Sequence, residues 1–294
     1  MSDEVLINPP SGPIGDRNAI LSGITRYYDV RRFAGPLSLK SVVRGRATWT
    51  TGAGSFVVDP GAALIVHEGE EYDIAIDALQ PVETFCIFFA PRFVEDALQS
   101  ATTSSAALLD APPPERRIEF PERLLYALPV VESLIAAHGS MRAGEPVAET
   151  IAGVASALVH AACDVDARVA RLPALRSSTR EELRRRIARG TDYIHANIDR
   201  ALPLAEVAGA ACLSPFHFHR LFSAFHGEPP HRYITRVRLA RACALLRGER
   251  SVTEVAMECG FESVGSFTTL FTRRFGQPPA RFRKNEEAAA SRAH

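Results

Sequence analysis

Residues 202–233 read LPLAEVAGAACLSPFHFHRLFSAFHGEPPHRY, and residues 250–282 read RSVTEVAMECGFESVGSFTTLFTRRFGQPPARF. The second stretch repeats the first: Glu206-Val207-Ala208 aligns with Glu254-Val255-Ala256, and Ser214, Phe218, Phe222, Gly227 and Tyr233 align with Ser263, Phe267, Phe271, Gly276 and Phe282. One extra residue, Glu262, sits in the turn of the second copy. Each copy predicts a short helix, a tight turn and a longer helix. Two copies are too few for a solenoid, whose units must stack to bury a core. They suit a molecule that touches two places on one long periodic ligand.

The longer helix of the first copy has its signals in place. Ser214 fits an N-cap and Pro215 the first helical position, where its missing N–H costs nothing. Phe218, Leu221, Phe222 and Phe225 fall at helical spacing and predict a buried stripe. Phe216, His219, Arg220 and Ser223 are then left on the opposite face, the one a helix-turn-helix presents to the major groove of DNA. In the second copy the stripe is Phe267, Leu270, Phe271 and Phe275, and Gly265, Ser266, Thr268, Thr269 and Thr272 face outward with little charge. Arg273 and Arg274 are placed to meet phosphates. Ser251 with Glu254 reads as a capping box opening the second copy, and Ser178 with Glu181 as another opening a helix to about residue 198. A helix over 230–246, ending at Gly248 as its C′ residue, joins the copies and separates them by roughly 25 Å at 1.5 Å per residue.

The charge agrees with that reading. The formal net charge is zero, yet residues 1–175 hold 14 Lys and Arg against 22 Asp and Glu, a net −8, and residues 176–294 hold 20 against 12, a net +8. A basic half favours a polyanionic partner. The first residues lack the positive start and apolar core of a secretory signal, and no apolar run reads as a membrane span. The five cysteines show no C-x-x-C spacing, and Cys212, Cys243 and Cys259 sit in apolar helix patterns that predict buried free thiols of a reducing cytoplasm.

Ahead of the repeats, residues 24–89 carry short runs of β-favouring residues at 37–43, 55–58, 62–66, 72–76 and 84–89, separated by Gly, Pro and Asp. This rhythm predicts a sandwich or small barrel. Residues 99–119 read as loop. Helical patterns follow over 122–138, interrupted by Pro129, and over 147–163, as an antiparallel pair. That pair could cap the β-domain or bury its stripe against a second copy of the chain. The resulting fold class is α+β with two domains: a β-rich barrel with a helix pair, then an all-α double helix-turn-helix domain. Its expected divisions are an arm over 1–18, the β-domain over 19–165, a linker over 166–178, the helical domain over 179–285 and a flexible tail over 286–294.

The segments SPFHFHRLFSAFHG, RLARACALL and GFESVGSFTTLFTRRFGQPPARFR resemble the DNA-binding domain of the AraC/XylS family of bacterial transcription regulators over about 100 residues. The resemblance implies seven helices and contacts in two successive major grooves of double-stranded promoter DNA. It implies base-reading positions at Phe216, His219 and Arg220, and at Val264, Gly265, Thr268 and Thr269. Val264 and Gly265 offer no polar group, a departure that weakens base readout by the second unit. The first domain, through GRATWTTGAGSFVVDPGAALIVHEGEEYDIAI, resembles the cupin-like sensory domain of many members. That resemblance implies a small-molecule effector inside the barrel, with Arg46, Trp49, His67, Tyr72 and Phe88 as lining candidates. It also implies a homodimer, and activation implies contact with RNA polymerase.

Two other classes compete. A metal cupin needs several His with a carboxylate, and residues 1–137 hold only His67. No nucleophile-elbow, zincin, phosphate-loop or dinucleotide motif occurs. No cofactor or metal is therefore expected, and catalysis is disfavoured. The alternative is a DNA-binding regulator without a ligand, whose first domain only dimerises or meets a partner protein, and the sequence does not exclude it.

Overall fold

The computed structural model describes residues 6–7, 14–102, 120, 123–126, 129–173, 177–248 and 250–290. Eight strands form the first domain: β1 (Leu6–Ile7), β2 (Ala19–Ala34), β3 (Ser38–Arg44), β4 (Ala47–Thr51), β5 (Gly54–Val58), β6 (Ala62–Val66), β7 (Glu71–Phe88) and β8 (Leu124–Tyr126). The runs at 72–76 and 84–89 prove to be two halves of one long strand, β7, paired antiparallel with β2 along its length. Register shifts at Thr25/Tyr27 bend this ribbon. Beyond the bend the ribbon joins two different neighbours. The second half of β7 pairs with β3, which continues to β6 and β8, while its first half pairs with β4, which carries β5. The result is a near-barrel folded from one hydrogen-bonded sheet.

Strand alternation sends successive residues to opposite faces. On β6, Ala62, Leu64 and Val66 fill the barrel, and Ala63 and Ile65 face the helices outside. Those helices are α1 (Phe93–Thr102), α2 (Pro129–Ala143) and α3 (Val147–Ala170). Pro129 opens α2 rather than kinking it, and Leu124–Tyr126 pair with β6 as β8 instead of extending the helix. Leu134 of α2 and Ile151, Val154 and Leu158 of α3 pack on Ile20, Leu39, Ile65 and Ile87 of the sheet. The helix pair thus caps the barrel of its own chain. By length and composition alone α3 could cross a membrane, contrary to the sequence expectation, but its apolar stripe belongs to this core.

The second domain has seven helices among the described residues: α4 (Ser177–Ala196), α5 (Leu204–Ala210), α6 (Pro215–His226), α7 (Pro230–Leu245), α8 (Val252–Glu258), α9 (Val264–Phe275) and α10 (Pro279–Ala290). Helical residues reach Ala170 on one side and begin at Ser177 on the other, so most of 166–178 is helix rather than extended linker. Ser178 therefore lies inside α4, and Glu181 pairs with Arg184 instead of closing a capping box. The box at Ser251 and Glu254 does form. Gly248 is not left-handed; α7 ends at Leu246 in a right-handed conformation, with the Gly248 amide donating to the Leu245 carbonyl at 3.1 Å. α10 stays helical through Ala290, into the expected tail. Of the cysteines taken as buried, Cys259 is buried, Cys243 half-buried and Cys212 exposed. Cys212 is the turn residue of the first unit and has φ +53°, where its counterpart in the second unit is Gly260 at +74°. A left-handed turn residue points its side chain away from both helices, which is why the apolar pattern misled.

The two domains are joined by packing and by charge. The barrel core runs on into Ile187 of α4 and into Phe218, Phe222 and Tyr233 of the first helix-turn-helix unit. The turn at Asp59-Pro60-Gly61 lies against α7, so close that a Cβ on Gly61 would stand 2.9 Å from that of Ala244. The Asp59 carboxylate is fully buried. It accepts from Arg46 Nε at 2.9 Å and Arg241 Nε at 3.1 Å. Arg241 also donates to the Glu258 carbonyl at 3.0 Å, and Glu258 pairs with Arg250 at 3.0 Å and with Arg46. A second bridge runs from Glu70 through Arg123 to Asp192 of α4, at 2.9 Å for Arg123 Nε to Asp192. Burial pushes the Asp192 carboxyl up to about 7 despite that partner.

Candidate nucleic-acid interface and barrel cavity

The longer helix of each unit, α6 and α9, is built as its sequence prescribes. Ser214 caps α6 by accepting from the His217 amide at 3.3 Å, and Ser263 caps α9 by accepting from the Ser266 amide at 3.1 Å. Each helix stops at a left-handed glycine, Gly227 or Gly276. Phe218, Leu221, Phe222 and Phe225 anchor α6, each 1% exposed or less; burying one such ring contributes about 1.5–3 kcal/mol. Phe267 and Phe271 do the same for α9, with Leu270 and Phe275 at the margin of that core.

The opposite face of α6 is open. Phe216 is 81% exposed. His219 and Arg220 are exposed beside it. Ser223 is half-buried and spends its hydroxyl proton on the His219 carbonyl at 2.7 Å. His217, in the first turn of α6, is also exposed, and the sequence reading passed over it. Its place one residue after Phe216 at the capped end is the signal that could have found it.

The face of α9 differs in chemistry. Gly265, Ser266 and Thr269 are exposed and Thr268 half-buried, while Val264 leans into the core of the second unit. Thr269 donates to the Gly265 carbonyl at 3.0 Å, and Thr272 donates to the Thr268 carbonyl at 2.7 Å. These bonds consume hydroxyl protons that phosphate or base acceptors would need. A Cβ on Gly265 would meet nothing within 4 Å, so this face has room for a close approach. Arg273 and Arg274 are exposed in the last turn.

Several C-terminal arginines are otherwise engaged. Arg238 donates to the Ile198 carbonyl at 3.0 Å and the Arg200 carbonyl at 2.5 Å, and Arg241 is held by Asp59. The basic balance of the domain therefore overstates its accessible charge.

Inside the barrel is a cavity of about 240 Å³. Trp49, Tyr72 and Phe88 line it together with Leu21, Ile74 and Ile76. Arg46 and His67 do not. Arg46 turns to Asp59 at the domain interface. His67 follows Val66 on β6 and so falls on the outward face, where its Nε2 accepts from the Phe120 amide at 3.0 Å. The residue that the sequence reading missed is Lys40. It is 1% exposed, its Nζ donates to the Tyr72 hydroxyl at 2.9 Å, and it stands 3.6 Å from the centre of the Phe88 ring. Burial pulls its ammonium down to about 7. The sequence held a clue: Lys40 is one of two lysines in the chain, on the same strand face as Val42. Among the described residues no group of three His, Cys, Asp or Glu is placed to share a metal ion.

Comparison with known proteins divides the chain as the structure does. Residues 31–149 match the model of the AraC-like ligand binding domain, and residues 207–285 match that of a helix-turn-helix domain. Over 84 residues the chain is 42% identical to the HTH-type transcriptional activator RhaS of Klebsiella pneumoniae, covering 28% of this chain and 30% of that protein. It is 34% identical to the probable transcriptional regulator LumQ of Photobacterium leiognathi, over 31% of this chain and 37% of LumQ. The matches thus span about a third of the length of these curated relatives. A transcriptional regulator with an AraC-type DNA-binding domain, from Chromobacterium violaceum, is a structural relative at 25% identity, 38% and 96% coverage and TM-score 0.32. With a sensory-domain match and a helix-turn-helix match in one chain, on a near-barrel followed by two capped helix-turn-helix units, this protein belongs to the AraC/XylS family of transcription regulators.

Proposed function

We propose that this protein is a cytoplasmic, sequence-specific transcription activator that answers a small molecule held in its barrel. The observation that carries the DNA reading is the pair of outward faces on α6 and α9, each capped by a serine, anchored by phenylalanines and joined through α7. In this reading Phe216, His219, Arg220 and Ser223 of the first unit approach base edges, with Arg220 the residue suited to a guanine. Gly265, Ser266, Thr268 and Thr269 of the second unit lie against backbone and thymine methyls, with the half-buried Val264 at the edge of that face, and Arg273 and Arg274 meet phosphates. The sixteen residues of α7 set the two units about 24 Å apart along its axis, and their own widths extend this toward one DNA turn.

The effector half of the proposal rests on the cavity and on the contacts that tie barrel to helices. A ligand shifts a conformational equilibrium only by its differential affinity for the two states. The Asp59 turn against α7 is the element through which such a difference would reach both units. A homodimer and contact with RNA polymerase belong to the same proposal. Selection of fragments from the source genome by the purified protein at fixed salt, followed by footprinting, tests it. Protection of two adjacent major-groove segments about one turn apart supports the reading. Failure to select any site, with the whole chain and with residues 176–294 alone, overturns it.

A further inference from the structure

A lysine inside a barrel is costly. An ammonium in apolar surroundings loses its hydration, and proteins keep such a charge only where it is paired or used. Lys40 has no carboxylate beside it among the described residues: the groups around its Nζ are the Tyr72 hydroxyl, the Phe88 and Tyr72 rings and the Cys86 thiol. Both π-faces attract a cation but cannot replace an anion. The Tyr72 oxygen accepts from Lys40, which leaves the phenol hydrogen to donate. Two donors therefore sit together on one wall of a mostly apolar chamber.

The chamber limits what can enter. Ser22, Thr25, Tyr28 and Thr84 are its other hydroxyl-bearing walls among the described residues, and no carboxylate or amide joins them to bracket the ring of hydroxyls on a sugar. Among the described residues no arginine lines it, which disfavours a dianionic phosphate. Trp49, Ile74, Ile76 and Phe88 offer flat and branched apolar surface. An apolar cavity of about 150 Å³ accepts benzene, so 240 Å³ suits one ring or a short branched chain plus a small polar head. Ile24 and Tyr28 line the cavity and are also exposed, which marks an entrance on β2.

From this geometry we propose that the barrel binds a small monocarboxylate, its head paired with Lys40 and Tyr72 and its apolar body lodged against Trp49 and Phe88. This deepens the effector reading above and rests on it only for the consequence at DNA. The anion supplies the counter-charge that the described residues around Lys40 do not.

The test uses the full chain and four probe acids: benzoate, phenylacetate, cyclohexanecarboxylate and hexanoate, each beside its neutral primary amide. Trp49, the only tryptophan, lines the cavity and reports occupancy through its emission. At least one acid should bind saturably and at least tenfold more tightly than its amide. Lys40→Met, which removes the charge and keeps the volume, should abolish that preference while its far-UV spectrum stays unchanged. Should the variant not fold, Tyr72→Phe in its place should lower acid affinity severalfold and leave amide affinity alone. No binding by any acid, or equal binding of acid and amide, overturns the assignment. DNA selection on the same preparation separates the two proposals. Sites selected without acid binding refute the carboxylate and leave the regulator standing, and acid binding without selected sites does the reverse.

Discussion

Replacing Asp59 by alanine tests whether the barrel and the DNA-binding half are one cooperative body. Five charges meet there, Arg46, Arg241 and Arg250 against Asp59 and Glu258, and Asp59 is the one the barrel's β5–β6 turn contributes. With Asp59 gone, Arg241 remains 4% exposed in its side chain, with Glu258 Oε1 as its nearest carboxylate at 3.8 Å. Removing one partner of a buried pair costs about 3–5 kcal/mol, because the other charge is left without compensation. Replacing both partners with apolar groups costs far less, for the same reason. Asp59→Ala should therefore lose about 3–5 kcal/mol in urea denaturation, and Asp59→Ala with Arg241→Met should regain more than half of it. Trp49 emission follows the barrel and far-UV ellipticity follows the helices, so the pair of probes shows whether both halves feel the change. A loss under 1 kcal/mol for the single variant, or a double variant that loses the sum of the two singles, would refute the reasoning.

Arg220→Ala should cost roughly 1–3 kcal/mol of affinity and relax preference at one base position; a uniform loss across sequences in a binding-site selection would reduce Arg220 to a phosphate contact. Arg273→Ala should instead lower the dependence of log affinity on log salt by about one ion, and an unchanged slope in a salt titration would remove it from the DNA. Cys212→Gly should stabilise the first unit, since a non-glycine residue in the left-handed region carries about 1–2 kcal/mol of strain, partly offset by the entropy of glycine; a fall in the thermal midpoint would contradict this. Lys40 gives a pH dependence with a definite sign. Its folded value, about 7, lies below the unfolded 10.5, so the folded chain pays for the charge in full below pH 7 and is progressively relieved between there and 10.5. Burial raises both the Cys86 thiol and the Tyr72 phenol, and Tyr28 is the other titratable group near the chamber. Stability of the wild type relative to Lys40→Met should therefore climb by up to about 1.4 kcal/mol per pH unit from pH 7.5 to 9; a flat difference in urea midpoints would place Lys40 in water.

The DNA-binding half was legible because its determinants are local. Ser214, Pro215, Gly227, Ser263 and Gly276 set helix ends through bonds within a few residues of themselves, and the phenylalanine stripes follow from a period of 3.6. The outward faces of α6 and α9 are what those stripes leave over. The barrel was legible only as a rhythm. That residues 72–76 and 84–89 are one strand, or that 124–126 is a strand and not a helix, depends on partners far away in the chain, from Ala34 opposite Glu71 to Ala19 opposite Phe88 and Ala62 opposite Tyr126. The cavity lining shows the same division. Trp49, Tyr72 and Phe88 could be chosen as large residues in strands, but His67 needed the parity of β6 to be excluded, and Arg46 needed Asp59.

Lys40 and Asp59 mark the boundary most clearly. As letters they are an ordinary lysine in a strand and an ordinary aspartate in a turn, and local chemistry would place both in water. Their burial is decided by what closes over them: β7 with Phe88 and Tyr72 in one case, α7 with Arg241 in the other. Helix caps and apolar periods are short-range and so are written in the sequence by itself. The solvation of a charge is set by every group within several ångströms, and only the tertiary structure brings those groups together.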